Sequence, residues 1–290
     1  MAGAVNADMT GRLVVLTGAS SGIGSAAAVQ LARLGAEVVP VGRDRERLEK
    51  VSKRIEAAGR GETVQPVQAD FASLANVRRL ALELLERHQR IDVLVNNAGV
   101  VMGRRESSED GYEMTFAVNH LAPFLLTRLL LDRLRQSAPA RVVTTSSDAH
   151  TSGLIDFEDP QLERSWSSWR AYSNSKLANI LFTRALAARV PSEQVVANCL
   201  HPGVVRSRLG RNSRAPVKLG WAVARLFFRS PRQGASTIVH LASSAEGGRV
   251  SGAYFAKSRP APLRGQAVDD GAAEWLWELS EELVEPFLAA

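Results

Sequence analysis

The sequence predicts an α/β protein: a single doubly wound domain with a seven-stranded parallel sheet flanked by helices. Two observations support this prediction. Apolar segments of strand length alternate with helical patterns along the 290 residues, and these segments lack a polar face, as strands buried on both sides of a parallel sheet do. The first strand also enters the first helix through a turn of glycines and other small residues. The crossovers of such a sheet are right-handed.

The first part of the chain contains four of the predicted strands. Leu13–Leu16 is a short apolar run that ends at the glycine-rich turn. The helix that follows, Ser25–Leu34, has apolar residues at helical spacing and ends before a glycine. Asp44 is placed to cap the second helix. The other elements predicted here are the strands Glu37–Gly42, Thr63–Asp70 and Ile91–Val95 and the helices Asp44–Ala58 and Leu74–His88.

The second part of the chain repeats the alternation with longer helices. A helix is predicted over Tyr112–Leu134, with a break near Pro123 because proline disrupts a helix interior. A second long helix is predicted over Tyr172–Arg189. The remaining predicted elements are the strands Arg141–Ser147, Val195–His201 and Gly252–Ala256 and the helices Arg232–Ser244 and Ala272–Leu288.

Composition indicates a globular chain with a sizeable core. Hydrophobic residues make up 45% and charged residues 23% of the sequence, and no linker divides residues 12–290, which are predicted to form one domain after a flexible tail, residues 1–11. The net charge of +6 favours anionic partners, but the arginines are scattered among acids, so we expect a solvated basic surface and no nucleic-acid partner.

The expected location is cytoplasmic. The single cysteine, Cys199, excludes an intrachain disulfide and fits a reducing compartment. The first eleven residues lack the pattern of a secretory signal. No uninterrupted apolar run reaches the roughly 18 residues that a membrane span needs, so no transmembrane segment is predicted.

The turn Thr17–Gly24 is the strongest local indication of a ligand. A strand that enters a helix through glycines brings main-chain N–H groups and the positive helix end against a pyrophosphate. A β-carbon at Gly18, Gly22 or Gly24 would hold that group off. A tight connection without a ligand is the alternative, and the position of the turn, first in an alternating chain, favours nucleotide binding.

Three further polar sites follow predicted strands: Asp70, Asn96–Gly99 and the pair Ser146 and Ser147. Ligands of doubly wound sheets bind beyond the carboxyl ends of the strands. We therefore expect these sites and the glycine-rich turn to converge at one edge of the sheet.

Tyr172 and Lys176 are the candidates for proton chemistry. A spacing of four residues places both side chains on one helix face. A neighbouring ammonium favours the charged form of a phenol, which moves its pKa toward neutrality and its hydroxyl toward use as an acid or base. An isolated pair of this kind is more often an exposed aromatic beside a solvated lysine, but Lys176 is one of only five lysines in an arginine-rich chain.

The ordered motifs resemble those of the classical short-chain dehydrogenase/reductase family, most closely its retinol dehydrogenase-like members. The resemblance spans nearly the whole chain. It implies a Rossmann-like fold and an oxidoreductase that interconverts an alcohol and a carbonyl with a nicotinamide dinucleotide. The motifs are TGASSGIG from Thr17, NNAG from Asn96, Asn119 in FAVNHL, Ser147 in VVTTSS, YSNSK from Tyr172 and HPG from His201.

The resemblance also implies residue roles. Tyr172 would be the catalytic acid/base, Lys176 would lower its pKa and bind the nicotinamide ribose, and Ser147 would donate to the substrate oxygen, with Ser146 as the alternative serine. Asn119 would hold a water that links Lys176 to solvent. The implied cofactor contacts, besides Tyr172 and Lys176, are Gly18, Ser20, Ser21, Gly22, Ile23, Gly24, Arg43, Asp70, Phe71, Asn97, Ala98, Gly99, Pro202, Gly203, Val205 and Ser207.

The end of the second strand indicates the phosphate state of the cofactor. Relatives that prefer NAD usually carry an acid where this chain has Gly42. Arg43 follows directly, and its planar guanidinium suits a 2′-phosphate. Asp44 is a rival ribose ligand, but helix capping explains it. The sequence therefore favours NADP(H), with NAD(H) as the alternative.

Two regions are candidates for substrate binding. One is the insertion over residues 150–170, where Trp166 and Trp169 either overhang the pocket or anchor a surface excursion. The other is the segment over residues 204–234, which its position predicts to be a substrate loop. Its apolar residues suit a hydrophobic substrate or ordinary packing, and its basic residues permit weak membrane contact. The expected partner is a hydrophobic alcohol or carbonyl compound.

Some function classes stay open at this point. A non-catalytic NADP-binding sensor or regulatory protein on the same fold is the main alternative to an enzyme. The five histidines have no metal-site spacing, so no metal is predicted. Members of the family often form dimers or tetramers through the long helices that begin near Tyr112 and Tyr172, so a homodimer or homotetramer is an expectation of the resemblance.

Overall fold

The computed structural model describes residues 8–59, 65–203 and 230–288. Its strands are β1 (Leu13–Thr17), β2 (Glu37–Gly42), β3 (Val67–Gln68), β4 (Val93–Asn96), β5 (Ala140–Thr145), β6 (Val195–His201), β7 (Tyr254–Ala256) and β8 (Arg259–Pro260). They form one sheet in the order β3-β2-β1-β4-β5-β6-β7-β8. The predicted α/β, Rossmann-like fold is confirmed.

The sheet reverses its strand order between β1 and β4. The chain builds outward from β1 to β2 and β3, and then returns to place β4 on the other side of β1. Such a topological switch point opens a crevice at the carboxyl ends of the strands. The fold thus creates a ligand crevice beside the turn that follows β1.

The eighth strand was not predicted. Strands β1 to β7 pair in parallel, as expected, whereas β8 pairs antiparallel with β7 through a turn in which Lys257 and Ser258 have φ of 54° and 59°. Two residues are too short for an alternating pattern, and proline is tolerated at a sheet edge. The sequence pattern therefore could not show this strand.

The helices lie on both faces of the sheet. They are α1 (Gly22–Arg33), α2 (Arg45–Glu56), α3 (Leu74–Arg87), α4 (Ala122–Gln136), α5 (Ser168–Arg189), α6 (Ser236–Ser243) and α7 (Asp270–Leu288). Asp44 caps α2 as predicted, since its carboxylate accepts from the Arg47 N–H at 3.0 Å. The predicted helix over Arg232–Ser244 is divided, because a short helical turn, Pro231–Gly234, precedes α6.

The break expected near Pro123 takes a different form. A helical turn over Met114–Phe116 continues into a π-helical turn over Ala117–Leu121 and then directly into α4. The Ala122 N–H donates to the Ala117 carbonyl, and Pro123, which has no N–H, lies in the first turn of α4. The π-helical turn places the proline where a missing donor costs little.

Two apolar clusters, one on each face, hold the layers together. The side chains of β1 show the division: Leu13 and Val15 pack with α3, α4, α5 and α7, whereas Val14 and Leu16 pack with α1, α2 and α6. Adjacent strand residues point to opposite faces. The strands therefore need apolar residues at every position, which is the pattern that predicted the parallel sheet.

The C-terminal helix α7 packs on the outer side of α4 and α5. The Trp277 ring lies 5.0 Å from that of Phe124 and 6.1 Å from that of Phe182, and the Arg189 guanidinium lies 4.5 Å from the Trp277 ring centroid. The long helices that were expected to form an oligomer interface are thus partly covered within the chain. The oligomeric state stays a prediction.

One described helical stretch, Met114–Gln136, is long and apolar enough to cross a membrane. Of its most apolar window, 83% is buried inside the protein. It packs against α3 and α5 in the larger apolar cluster. The position is that of a core helix.

Candidate active site

The glycines of the turn after β1 serve different purposes. An alanine Cβ at Gly18 would lie 2.8 Å from Ala98 Cα, and one at Gly24 would lie 2.3 Å from the Gly18 carbonyl oxygen. Gly22 has φ of +57° and nothing within 4 Å of its Cβ position. The expectation that all three glycines make room for a ligand is therefore corrected: Gly18 and Gly24 let the main chain pack on itself, and Gly22 faces open space.

The start of α1 offers unused donors to an anion. Ser21 is the N-cap residue, but its side chain makes no capping hydrogen bond. With Ser20, Gly22 and Ile23 it forms the N-terminal end of the helix, where main-chain N–H groups and the helix dipole favour negative charge. This end of α1 can hold the pyrophosphate of a dinucleotide.

The loop after β4 is tied directly to the turn after β1. The Thr17 hydroxyl accepts from the N–H groups of Asn97 and Ala98 at 2.9 and 3.0 Å, and the Asn97 amide donates to the Thr17 carbonyl at 2.9 Å. These bonds bring two of the predicted sites together across the switch point. Thr17 is a positioning residue, a role that was not predicted for it.

Ser147, Tyr172 and Lys176 meet at the same edge of the sheet. The Ser147 side chain lies close enough to the Tyr172 phenol to act on its pKa. The Lys176 ammonium lies 5.7 Å from the Tyr172 ring centroid and donates to the Thr145 carbonyl at 3.1 Å. Helix α5 places Tyr172 and Lys176 one turn apart, and β5 ends beside them. A proton donor, a second hydroxyl and a cation therefore share one site.

Burial dominates the proton affinities of this site. Desolvation raises the pKa of Tyr172, and the Ser147 side chain opposes that rise. Burial lowers the pKa of Lys176 to about 8. The ammonium of Lys176 was expected to lower the pKa of Tyr172. In the structure, the influence that opposes the effect of burial on this pKa comes from Ser147.

The two candidate serines are clearly separated. Ser146 is 2% exposed, and its hydroxyl donates to the Lys176 main-chain carbonyl at 2.7 Å. Ser146 therefore faces the fold, whereas Ser147 faces Tyr172. The structure favours Ser147 over Ser146 as the serine that reaches a substrate.

Asn119 lies in the π-helical turn and links three elements. Its Oδ1 accepts from the Val100 N–H at 2.7 Å, and its Nδ2 donates to the Val100 carbonyl at 3.0 Å and to the Ser175 hydroxyl at 2.9 Å. A Cβ at Gly99 would lie 3.2 Å from Asn119 Oδ1 and 3.5 Å from Lys176 Nζ. Both N–H donors of the Asn119 amide are used, so the predicted water would have to donate to an oxygen of Asn119.

A cavity of about 370 Å³ lies beyond β2 and β3, where the adenosine end of the cofactor is expected. Its walls are formed by Arg43, Gln68, Ala69, Asp70, Asn76 and Arg79. Asp70 Oδ1 accepts from the Ala72 N–H at 3.0 Å. Phe71, in contrast, is 6% exposed and packs in the apolar core. Only the main chain of Phe71 can contribute to this cavity.

The end of the crevice that is expected to hold the nicotinamide is only partly described. Pro202 and Gly203 follow β6 at the carboxyl edge, as predicted. Val205, Ser207 and most of the predicted substrate loop lie outside the described residues. The tail is described only from residue 8 onward.

Two histidines hold the turn that carries Ser147, a role that was not predicted for them. His150 Nδ1 is 2.7 Å from the Ser147 carbonyl oxygen, and the Asp148 N–H donates to His201 Nδ1 at 3.1 Å. The sequence predicted no metal site at either histidine, and the family resemblance used His201 only as the start of the HPG motif. The HPG motif beginning at His201 was the signal that could have drawn attention to it.

The tryptophans of the insertion divide between the two roles considered for them. Trp166 donates its indole N–H to the Glu113 carboxylate at 3.1 Å, which anchors the insertion. Trp169 is 59% exposed, and its ring lies 6.5 Å from that of Tyr172. Trp169 is therefore the one that borders the candidate substrate site. Among the residues that the structure describes, no group of three His, Cys, Asp or Glu side chains is suited to a metal ion.

A phenol and a buried lysine beside the carboxyl end of β5, in a doubly wound sheet, fit a nicotinamide-dependent oxidoreductase. The family model described as short chain dehydrogenase matches residues 12–218. The chain belongs to the short-chain dehydrogenase family and is an NAD(P)-dependent oxidoreductase of alcohols and carbonyls.

Known relatives agree with this assignment. Retinol dehydrogenase 14 of Mus musculus is 44% identical over 95% of this chain and 86% of its own length. The solved structure of an uncharacterised protein from Mycobacterium paratuberculosis has a TM-score of 0.77, with 32% identity over 96% of this chain and 95% of that one. The RhlG/NADP active-site complex of Pseudomonas aeruginosa has a TM-score of 0.67, with 31% identity over 86% and 96% of the two chains.

Proposed function

We propose that this protein is an NADP(H)-dependent oxidoreductase that interconverts a hydrophobic alcohol and the corresponding carbonyl compound, with Tyr172 as the acid/base. The observation that carries the proposal is that Ser147 and Lys176 both lie beside Tyr172, at the carboxyl edge where the glycine-rich turn also lies. In the direction of reduction, Tyr172 donates its proton to the carbonyl oxygen, and Ser147 donates a hydrogen bond to the same oxygen.

The residues present fit a dinucleotide. No atom lies within 4 Å of the Cβ position of Gly22, and the Ser21 side chain does not cap the first N–H groups of α1. The cavity at Arg43 has the size of a nucleoside site. When bound, the nicotinamide supplies or accepts the hydride. Lys176, close to Tyr172, would bind the ribose hydroxyls.

The preference for the phosphorylated cofactor rests on positions 42 to 44. A Cβ at Gly42 would lie 3.3 Å from both Ser20 Cβ and Ser20 Oγ, so an acid there would require Ser20 to move. Asp44 is occupied by capping α2 and by an ion pair with Arg47 at 2.9 Å. Arg43 has no ion-pair partner within the described ranges and borders the cavity. The charge at this end therefore suits a 2′-phosphate.

The substrate class is inferred from two sources. The mouse relative is named a retinol dehydrogenase, and the exposed Trp169 ring offers an apolar wall near Tyr172. Both favour a hydrophobic alcohol or carbonyl substrate. A cytoplasmic location and weak membrane contact stay predictions of the sequence.

Activity of the purified full chain tests the proposal. NADPH oxidation is measured with hydrophobic aldehydes and ketones, and NADP reduction with the matching alcohols. Tyr172→Phe is expected to lower kcat by about 10² to 10⁴-fold and to leave NADPH binding intact. Tyr112→Phe is the matched control, since the Tyr112 hydroxyl donates to the Leu283 carbonyl, away from this edge.

Three outcomes contradict parts of the proposal. Wild-type activity that survives in Tyr172→Phe excludes Tyr172 as the acid/base. NADH binding as tight as NADPH binding excludes the cofactor preference. NADPH binding without turnover of any substrate in the panel favours the sensor alternative.

A further inference from the structure

The adenosine cavity contains a second arginine that the sequence motifs do not identify. Arg79 lies on α3 and lines the same cavity as Arg43, which follows β2. Asn76 and Arg79 are three residues apart on one helix face, and Arg79 Nη2 donates to Asn76 Oδ1 at 2.8 Å. This hydrogen bond turns the guanidinium back toward the N-terminus of α3, where the cavity lies.

Arg43 and Arg79 differ from the other arginines near this end of the sheet. On α2, Arg45 pairs with Glu49 at 3.2 Å and Arg47 pairs with Asp44 at 2.9 Å. Within the part of the chain that the structure describes, neither Arg43 nor Arg79 has a carboxylate partner. The two arginines that border the cavity are thus the two whose charge is available to a ligand.

The charge balance of the cavity requires more than Arg43. Asp70 is a cavity residue, and its carboxylate repels an anion. A phosphate monoester carries a charge of about −1.5 to −2 at pH 7. Arg43 alone would only offset Asp70, whereas Arg43 and Arg79 together leave an excess positive charge. A guanidinium also presents paired N–H donors in the geometry of phosphate oxygens.

Gln68 and Asn76 hold the walls of the cavity in place. Gln68 Nε2 donates to the Arg43 main-chain carbonyl at 2.9 Å, which joins β3 to the turn after β2. Asn76 holds Arg79 as described. The main chain of Arg43 and the guanidinium of Arg79 are therefore both held by neighbouring side chains. A group bound between the two arginines would be contacted from two elements of the fold.

We infer that Arg79 is a specificity-determining residue that binds the 2′-phosphate of the adenosine ribose together with Arg43. This inference rests on the proposed use of NADP(H), which it deepens by adding the second phosphate ligand. It places the phosphate between α3 and the turn after β2, and it makes the cofactor preference depend on two separate elements of the fold.

Binding of nucleotide fragments to the full-length protein tests this inference without catalysis. Adenosine 2′,5′-bisphosphate and 5′-AMP differ only in the 2′-phosphate, and their dissociation constants are measured by calorimetry. Arg79→Ala is expected to weaken binding of the bisphosphate about tenfold and to change 5′-AMP binding by less than about twofold. Arg79→Lys should lie between wild type and Arg79→Ala because it keeps the charge but not the fork.

Arg45→Ala is the matched control, since Arg45 is an exposed, ion-paired arginine on α2. It should bind both fragments as the wild type does. Equal weakening of both fragments by Arg79→Ala, or no change in either, overturns the role of Arg79. The failure of the NADP(H) proposal is distinguishable, because then the wild type itself binds 5′-AMP as tightly as the bisphosphate.

Discussion

Lys176→Met is expected to stabilise the fold while it abolishes catalysis. Lys176 is 4% exposed, and its ammonium donates to the Thr145 carbonyl. Burial lowers its pKa from 10.5 to about 8, which corresponds to a cost of about 3 kcal/mol for the charged form in the folded protein. Methionine keeps the apolar stem and removes the charge. Loss of the Thr145 hydrogen bond costs about 1 kcal/mol, so a net gain of about 2 kcal/mol is expected.

The gain should depend on pH in a defined direction. Below about pH 8 the lysine is protonated in both the folded and the unfolded chain, and its full cost is present. Between about 8 and 10.5 the folded protein releases the proton first, so the cost shrinks as the pH rises. Above that range neither state is charged. The stability advantage of the variant should therefore be largest at neutral pH and nearly absent in strong base.

Urea unfolding of the wild type and the variant, without cofactor, measures this difference at neutral and alkaline pH. Lys50→Met is the control, since the Lys50 side chain is 69% exposed, and its effect should stay within about 0.5 kcal/mol. If Lys176→Met is less stable than the wild type at neutral pH, or if its advantage does not vary with pH, the buried ammonium is not a source of instability.

Three further predictions concern the edge of the sheet and the strands behind it. Ser147→Ala should lower kcat about 10²-fold or more, whereas Ser146→Ala should mainly lower stability by about 1 kcal/mol; kinetics and unfolding separate them. Gly24→Ala should destabilise the protein by about 3 kcal/mol or more, because its Cβ would lie 2.3 Å from a main-chain oxygen. Gly22→Ala should cost only about 1 kcal/mol, the expense of its left-handed backbone, and weaken NADPH binding; thermal unfolding and cofactor titration check both. Asp92→Asn should lower the unfolding free energy by about 2 kcal/mol, since two arginines and a main-chain N–H bind this carboxylate. The pKa of Asp92 is lowered in the fold, so the advantage of the wild type should disappear as the pH falls below about 4; unfolding curves in acid test this.

Local patterns predicted most of the secondary structure. The strands Glu37–Gly42 and Val195–His201 have the predicted bounds, because an unbroken apolar run between polar residues can be recognised from the sequence alone. The third strand was predicted as Thr63–Asp70 but is described only as Val67–Gln68, with residues 60–64 outside the described ranges. Pairing with β2 covers just those two residues, and apolar composition alone does not show where pairing stops.

The placement of the site could also be predicted from topology. Residues that follow parallel strands lie at one edge whatever their chemistry, so Ser147 and the glycine-rich turn were expected near each other. The helical spacing of four brought Tyr172 and Lys176 to one face in the same way.

The sequence by itself determined the alternation of strands and helices, the common edge and the chemical types gathered there, because these depend on periodicity and chain direction. Only the tertiary structure decided which serine faces Tyr172, which glycine opens to a ligand and which influence dominates the pKa of the phenol. Each of these depends on distances between segments far apart in the chain. Burial and packing are properties of the assembled fold, and no local pattern contains them.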